Sequence, residues 1–140
     1  MNVSIQHLGD CRFAAETRGH KLFSDQPFDN GGTDTAMTPP ELLLASLGTC
    51  AGYYAAQYLR TRNLPVEGLN LRVSAEKGTQ PARFIRFHVT VTTPELESRH
   101  MEGLLRAVNA CMVHHTLQHQ PHVTFSLAVA DDSKVVAVGS

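Results

Sequence analysis

The stretch MTPPELLLASLGTCAGYYAAQYL, residues 37–59, constrains the fold more than any other part of the sequence. It opens with helix-start signals, because Thr38 is a good N-cap and Pro39 suits the first helical position. Glu41 completes a Thr-x-x-Glu capping box. We therefore predict a helix that begins here and runs to about Arg60. Apolar residues occur on every side of this helix, so other elements of the fold must enclose it.

The rest of the chain alternates between strand patterns and one further helix, with a short turn or helix over residues 114–120 before the last strand. Residues 2–24 predict a three-strand meander, and residues 69–92 predict a hairpin of half-buried strands. A last strand covers residues 123–129, and we expect the tail from about residue 131 to be loosely held. A second helix follows the proline at position 94 and carries one apolar stripe, formed by Met101, Leu104, Leu105, Val108, Cys111 and Met112. The sequence thus predicts an α+β fold in a single domain over residues 1–140.

Charge and hydropathy argue against two classes of partner. Lys and Arg number 12 against 13 Asp and Glu, with a net charge of −1 and no block of like charge. Binding of nucleic acid through phosphate neutralisation is therefore not expected. The N-terminus lacks a basic region followed by a long apolar run, and the apolar helix contains Ser46 and Thr49. We expect a soluble, cytoplasmic protein without a membrane partner.

Three cysteines, Cys11, Cys50 and Cys111, are too few and too widely spaced for a structural disulfide framework or a zinc ribbon. In a reducing compartment, a disulfide among them would be transient and catalytic rather than structural. Cys50 lies on the first helix and Cys111 closes the stripe of the second, so helices that pack stripe to stripe would bring the two sulfurs close. The alternative is that both cysteines are inert, buried apolar residues.

The surroundings of Cys50 on the first helix suggest two reasons for its position. Gly48 and Gly52 flank it, and each glycine costs about 1 kcal/mol in a helix interior. Either close packing of the helix or access of a ligand to the thiol would justify that cost. Leu47 and Tyr54 share the Cys50 face of the helix and are the candidate substrate-binding residues.

Four of the eight histidines lie together in the segment MVHHTLQHQPH: His114, His115, His119 and His122. Cys111 precedes the first of them by three residues, but no complete two-pair spacing of metal ligands is present, so no metal site is predicted. The segment follows a helix end, where histidines can face solvent and the negative end of the helix dipole. A role of His114 or His115 in tuning the Cys111 thiol is the alternative.

The runs TPPELLLASLGTC and RAVNACMVHHTL resemble the OsmC/Ohr family of osmotically inducible and organic hydroperoxide resistance proteins. The order of elements agrees with that family from about residue 5 to 129. The resemblance implies an intertwined homodimer, in which two central helices of each chain pack against antiparallel sheets. It also implies a peroxidase acting on organic hydroperoxides, with Cys50 as the peroxidatic thiolate and Cys111 as the resolving thiol. A lipoyl-type dithiol would be the external reductant, and no metal, flavin or haem is required.

The residues that activate the thiolate in this family do not match the chain clearly. Peroxidase members use an arginine and a glutamate at the start of the central helix, and aligned on Cys50 the glutamate position holds Pro40. Glu41 is one residue late, about 100° around a helix, and its capping role is a sufficient explanation of it. Arg12 is the better candidate for the arginine and Arg18 the other, but either could be a solvated strand residue. A non-catalytic small-molecule-binding or redox-sensing protein, and an inert structural dimer, therefore remain alternative functions.

Overall fold

The computed structural model of the chain describes residues 1–130 and 132–138, which form an α+β fold. All strand pairs are antiparallel and make a three-stranded sheet in the order β1-β2-β3 and two hairpins, β4-β5 and β6-β7. No helix of the described part of the chain is long and apolar enough to cross a membrane. The elements are β1 (Ser4–Gly9), β2 (Arg12–Thr17), β3 (His20–Ser24), α1 (Pro39–Arg60), β4 (Asn70–Gly78), β5 (Arg83–Thr92), α2 (Ser98–Asn109), α3 (Met112–Gln118), β6 (Phe125–Val129) and β7 (Asp132–Val138).

Helix α1 begins where the sequence predicted. The Thr38 hydroxyl accepts a hydrogen bond from the Glu41 N–H, and Glu41 Oε2 accepts one from the Thr38 N–H at 2.7 Å. The capping box is therefore complete. One side of α1 packs on α2, α3 and β4, and its buried residues are Leu47, Ala51, Ala55, Tyr58 and Leu59. The other side is open, with Tyr53 58% exposed. The sequence predicted that other elements enclose the helix, but a single chain covers only one side of it.

The two glycines that flank Cys50 let α1 approach β4 closely. A Cβ atom on Gly48 would lie 2.9 Å from Val73 Cγ2, and one on Gly52 would lie 3.2 Å from Leu71 Cδ1. Both distances are shorter than the usual separation of carbon atoms in contact. Of the two reasons suggested by the sequence, the structure supports close packing.

The β4–β5 hairpin follows its predicted alternation except at one point. The register shifts between Glu76 and Lys77, where Glu76 pairs with Arg86 but Lys77 pairs with Phe84. Ile85 is the extra residue at this bulge and is 50% exposed.

The predicted stripe of the second helix is interrupted before it reaches Cys111. Helix α2 ends at Asn109, and Cys111 has extended backbone angles, φ −62° and ψ 128°, as the N-cap of α3. The expectation that Cys111 continues the α2 stripe was therefore wrong. Leu104 of that stripe is buried and Val108 is half-buried in the core, where both lie next to α1 residues.

The C-terminal part of the chain also differs from the prediction. Residues 132–138 form β7, which pairs with β6 along its length, a strand that the sequence did not predict. The first residue of the predicted tail, at position 131, lies outside the described residues.

The N-terminal sheet presents an apolar face that its own chain leaves uncovered. Ile5, Ala15 and Leu22 are paired in one row across the three strands, and Phe13 lies on the same face. Ile5 is 62%, Phe13 40% and Leu22 46% exposed. Within the described residues, no strand of this sheet packs extensively against the helices or the β4–β5 hairpin.

A buried carboxylate orders the loop that leads from β3 to α1. Asp25 is 1% exposed, and its side chain accepts hydrogen bonds from the Thr33 and Thr35 hydroxyls at 2.7 and 2.8 Å. It also accepts from the backbone N–H groups of Gln26, Thr33 and Thr35. The loop, which the sequence predicts only as an irregular connection, is thus held at three points.

Candidate active site

The structure brings the Cys50 and Cys111 side chains into contact. Cys50 lies near the middle of α1, and Cys111 lies at the joint between α2 and α3. Cys111 is fully buried and Cys50 is partly exposed, and both thiols are free. The two thiols are close enough that each shifts the pKa of the other. A solvent-accessible thiol therefore has a second, enclosed thiol as its neighbour.

Backbone donors at the start of α3 surround this pair. The N–H groups of Met112 and Val113 lie near the Cys50 sulfur and lower the pKa of its thiol. The Cys111 sulfur accepts from the His114 N–H at 3.5 Å. The first N–H groups of a helix have no partner within the helix, so they are available to a negatively charged sulfur.

The environment gives the Cys50 and Cys111 thiols different pKa values. Burial raises the pKa of Cys50, but the hydrogen bonds from Cys111, Val113 and Met112 more than offset this, and the pKa lies below the ordinary value. Burial also raises the pKa of Cys111, and the neighbouring Cys50 raises it further. Cys50 therefore ionises first, while Cys111 remains a neutral S–H donor to it.

The third cysteine is held in a different part of the molecule. Cys11 lies in the turn between β1 and β2, where its sulfur donates to the Gly31 carbonyl at 3.5 Å. It takes no part in the hydrogen bonds of the Cys50–Cys111 pair.

Neither charged candidate from the sequence contacts the pair within one chain. The Glu41 carboxylate accepts from both the backbone N–H and the hydroxyl of Thr38, and these bonds hold its pKa below the ordinary value. Arg12 is the first residue of β2 and is exposed, and its guanidinium makes no ion pair with any described residue.

The two candidate substrate-binding residues have different surroundings. Leu47 is buried and lines a cavity of about 170 Å³ between α1, β5 and the α2–α3 joint, together with Ala51, Phe87, Val89, Val108, Asn109 and His114. Tyr54 is half-buried and packs edge-on against Tyr53, with ring centroids 5.3 Å apart. Leu47 therefore faces the interior beside Cys50, and Tyr54 lies one turn beyond the thiol.

Three of the clustered histidines, His114, His115 and His119, lie along α3 and its C-cap. The His114 and His115 rings are 5.7 Å apart, and those of His115 and His119 are 6.3 Å apart. Among the residues that the structure describes, no group of three His, Cys, Asp or Glu side chains is arranged to hold a metal ion.

The sequence did not reveal the helix break that assembles the site. Cysteine is not a favoured N-cap, and the apolar spacing of α2 continues through Cys111 as though the helix did too. The N–H donors of Met112 and Val113 were missed for the same reason, since a continuous helix would have used both of them internally.

Comparison with known proteins gives the same fold. A crystal structure from Psychrobacter arcticus 273-4, of a protein named for osmotic stress induction and a detoxification response, has a TM-score of 0.76 at 23% identity, over 83% of this chain and 87% of the other. An OsmC-like protein from Mycoplasma pneumoniae has a TM-score of 0.69 at 18% identity, over 85% and 87%.

An organic hydroperoxide resistance protein OsmC from Legionella pneumophila has a TM-score of 0.59 at 17% identity, over 85% of this chain and 90% of the other. A search of curated protein sequences gave no match. The sequence model of OsmC-like proteins matches residues 32–126, which include both cysteines of the pair. The chain therefore belongs to the OsmC-like family.

Proposed function

We propose that this protein is a thiol-dependent peroxidase that reduces organic hydroperoxides through Cys50 and Cys111. The observation that carries the proposal is the contact between an accessible thiol with a lowered pKa and a buried thiol with a raised one. The hydroperoxide resistance protein from Legionella, which shares the fold, adds support for this substrate class.

In the first step, the Cys50 thiolate attacks the distal oxygen of a hydroperoxide, R–O–O–H. The S–O bond forms as the O–O bond breaks, which leaves a sulfenic acid on Cys50 and an alkoxide that takes up a proton to become the alcohol. The backbone donors of Met112 and Val113 stabilise the attacking thiolate before the reaction. We take Leu47 and Tyr54, about one turn before and one turn after Cys50 on α1, as the apolar residues that favour an alkyl substituent on the peroxide.

In the second step, the Cys111 sulfur attacks the sulfenic sulfur of Cys50. A disulfide forms, and the hydroxyl group leaves with the Cys111 proton as water. An external dithiol of the lipoyl type then restores both thiols by two exchange reactions and becomes a disulfide itself. Neither step requires a metal or an organic cofactor.

We further propose that the working form is a homodimer in which a second copy covers the open faces. The accessible surface of the chain is 10893 Å², whereas a compact monomer of 15.3 kDa exposes about 7,100 Å². The excess is about 3,800 Å² per chain, which is more than the roughly 1,000–2,500 Å² that each partner of an obligate interface usually buries, so each chain has ample surface for such an interface. The open side of α1 and the apolar face of the N-terminal sheet are both parts of this excess. Light scattering should give a mass of about 30 kDa, twice that of the chain; a stable monomer would refute the dimer.

The peroxidase is tested with reduced protein and cumene hydroperoxide. Free thiols are counted with time, and the products are mapped by mass spectrometry. We expect rapid loss of two thiols, a Cys50–Cys111 disulfide and continuous turnover with dihydrolipoamide. Cys50→Ser should abolish turnover and Cys11→Ser should leave it unchanged. If Cys11→Ser were the damaging change, the assignment of the thiols would be wrong.

A redox-sensing or small-molecule-binding protein is the second candidate. It is favoured because, among the described residues of one chain, no charged group contributes to lowering the pKa of Cys50, and the Glu41 carboxylate is bonded to Thr38. A sensor would form the same disulfide once but show no sustained turnover with any dithiol. The turnover assay therefore separates the two functions.

A further inference from the structure

The side chain of His114 bridges the joint between α2 and α3. In a continuous helix, the Asn109 carbonyl would accept from the N–H of Val113, four residues later. Here the Val113 N–H lies near the sulfurs of the pair instead, where it lowers the pKa of both thiols. The Asn109 carbonyl accepts from His114 Nδ1 at 3.1 Å. A carbonyl oxygen can only accept, so Nδ1 carries the proton.

The same histidine also holds the cysteine at the centre of the joint. The His114 backbone N–H donates to Cys111 Sγ at 3.5 Å, while its ring reaches back to Asn109. The backbone of His114 is therefore bonded to Cys111, and its ring is bonded to Asn109. Its extended backbone, which turns the sulfur toward α1, depends on the helix remaining broken at this point.

We infer that His114 is a positioning residue, whose ring keeps the α2–α3 joint open so that Cys111 and the Val113 N–H face Cys50. The inference rests on the proposed function for its biological meaning, but the geometry that it describes can be measured without a peroxide. Without the ring donor, the Asn109 carbonyl would compete for the Val113 N–H, and the joint would either close into a continuous helix or loosen.

Three variants separate the effect of the ring N–H donor from the effect of the ring's volume. Because the ring lines the 170 Å³ cavity, truncation would enlarge that cavity. His114→Leu fills the space without a donor, and His114→Asn retains an N–H at a position similar to Nδ1. His119→Leu is the matched control, since His119 Nδ1 bonds the His115 carbonyl at 3.0 Å on the same helix but away from the pair.

The measurement is the equilibrium between the Cys50–Cys111 disulfide and dithiothreitol, followed by thiol trapping and mass spectrometry. We expect His114→Leu to lower the equilibrium constant for disulfide formation about three- to tenfold, as for the loss of one net hydrogen bond. His114→Asn and His119→Leu should both stay within about twofold of the unmodified protein. With one equivalent of cumene hydroperoxide, His114→Leu should also accumulate sulfenic acid on Cys50, which dimedone traps.

An unchanged equilibrium in His114→Leu, or an equal fall in His119→Leu or His114→Asn, would overturn the inference. If His114→Leu does not fold, His114→Ala compared with His114→Asn makes the same test, because both are smaller than the ring and only asparagine keeps a donor. If peroxide fails to oxidise Cys50 of the unmodified protein while the variants still differ in dithiothreitol, the proposed peroxidase is wrong and the positioning role stands.

Discussion

Replacement of Gly48 by alanine tests why glycines flank the reactive cysteine. Alanine would stabilise the helix by about 1 kcal/mol relative to glycine. Its Cβ atom would lie 2.9 Å from Val73 Cγ2, whereas carbon atoms in contact are about 3.5–4.0 Å apart. Val73 is stiff at χ1 and belongs to a strand paired with β5, so it cannot turn away easily. Overpacking of this kind costs about 1–3 kcal/mol, which leaves a net destabilisation of about 0–2 kcal/mol.

Gly52→Ala is the matched control for this change. Its Cβ atom would lie 3.2 Å from Leu71 Cδ1, the end of a flexible side chain that can move by a few tenths of an ångström. The gain in helix propensity should dominate, so the variant should be as stable as the original or more stable by up to about 1 kcal/mol. Val73→Ala combined with Gly48→Ala should relieve the overlap, with a coupling of about 1 kcal/mol.

Urea unfolding at one fixed protein concentration measures these differences, because the stability of a dimer depends on concentration. The alkylation rate of Cys50 is measured on the same variants. Gly48 is two residues from Cys50, about 200° around the helix, so the packing explanation predicts an unchanged rate. The reasoning would be refuted if Gly48→Ala were at least as stable as Gly52→Ala, or if it slowed alkylation while the protein stayed stable. The second result would show that the glycine provides access to the thiol.

Three further outcomes follow from the contacts of the site and of the loop before α1. Iodoacetamide should alkylate Cys50 at a pH below the ordinary thiol range and Cys111 only afterwards; Cys111→Ala, which removes an S–H donor, should move the Cys50 profile to higher pH. Thr38→Ala should destabilise the fold by about 1 kcal/mol in urea, through loss of the cap, and leave the alkylation rate of Cys50 unchanged. The hydrogen bond from Thr33 is the largest influence on Asp25, and although burial opposes it, the pKa of this carboxyl lies far below the ordinary value. Asp25 therefore stabilises the fold above the unfolded pKa, and this is lost only as the pH falls through the lowered folded pKa. Asp25→Asn should be less stable at neutral pH and lose less stability on acidification; equal stability of the two proteins at pH 7 would contradict this.

The elements defined by local chemistry could be predicted from the sequence, and those defined by contacts between distant segments could not. The start of α1 was predicted because the capping box of Thr38 and Glu41 lies within four consecutive residues. The break at Cys111 was missed because a periodic apolar pattern does not change when a helix stops and restarts. The bulge at Ile85 depends on the register of a partner strand, and the ordered loop depends on Asp25 meeting hydroxyls up to ten residues away. The pairing of the two thiols was predicted from the sequence, but the reason for their unequal pKa values lies in the missed break.

The Cys50 thiolate can be stabilised by neutral donors at the α2–α3 joint or by a cation. Arg12→Ala distinguishes these two sources of stabilisation. Within one chain, the groups that lower the pKa of the Cys50 thiol are Cys111, Val113 and Met112, all of them neutral donors. Arg12 lies on the exposed N-terminal sheet, which in a dimer would pack against a second copy. If the neutral donors suffice, Arg12→Ala should leave the alkylation rate of Cys50 at neutral pH within about twofold, as expected for a solvated charge. A profile displaced to higher pH, restored by Arg12→Lys, would show instead that a cation reaches Cys50 from the second copy. In that case, the α3 donors would be only a part of the activating environment, and the complete site would exist only in the dimer.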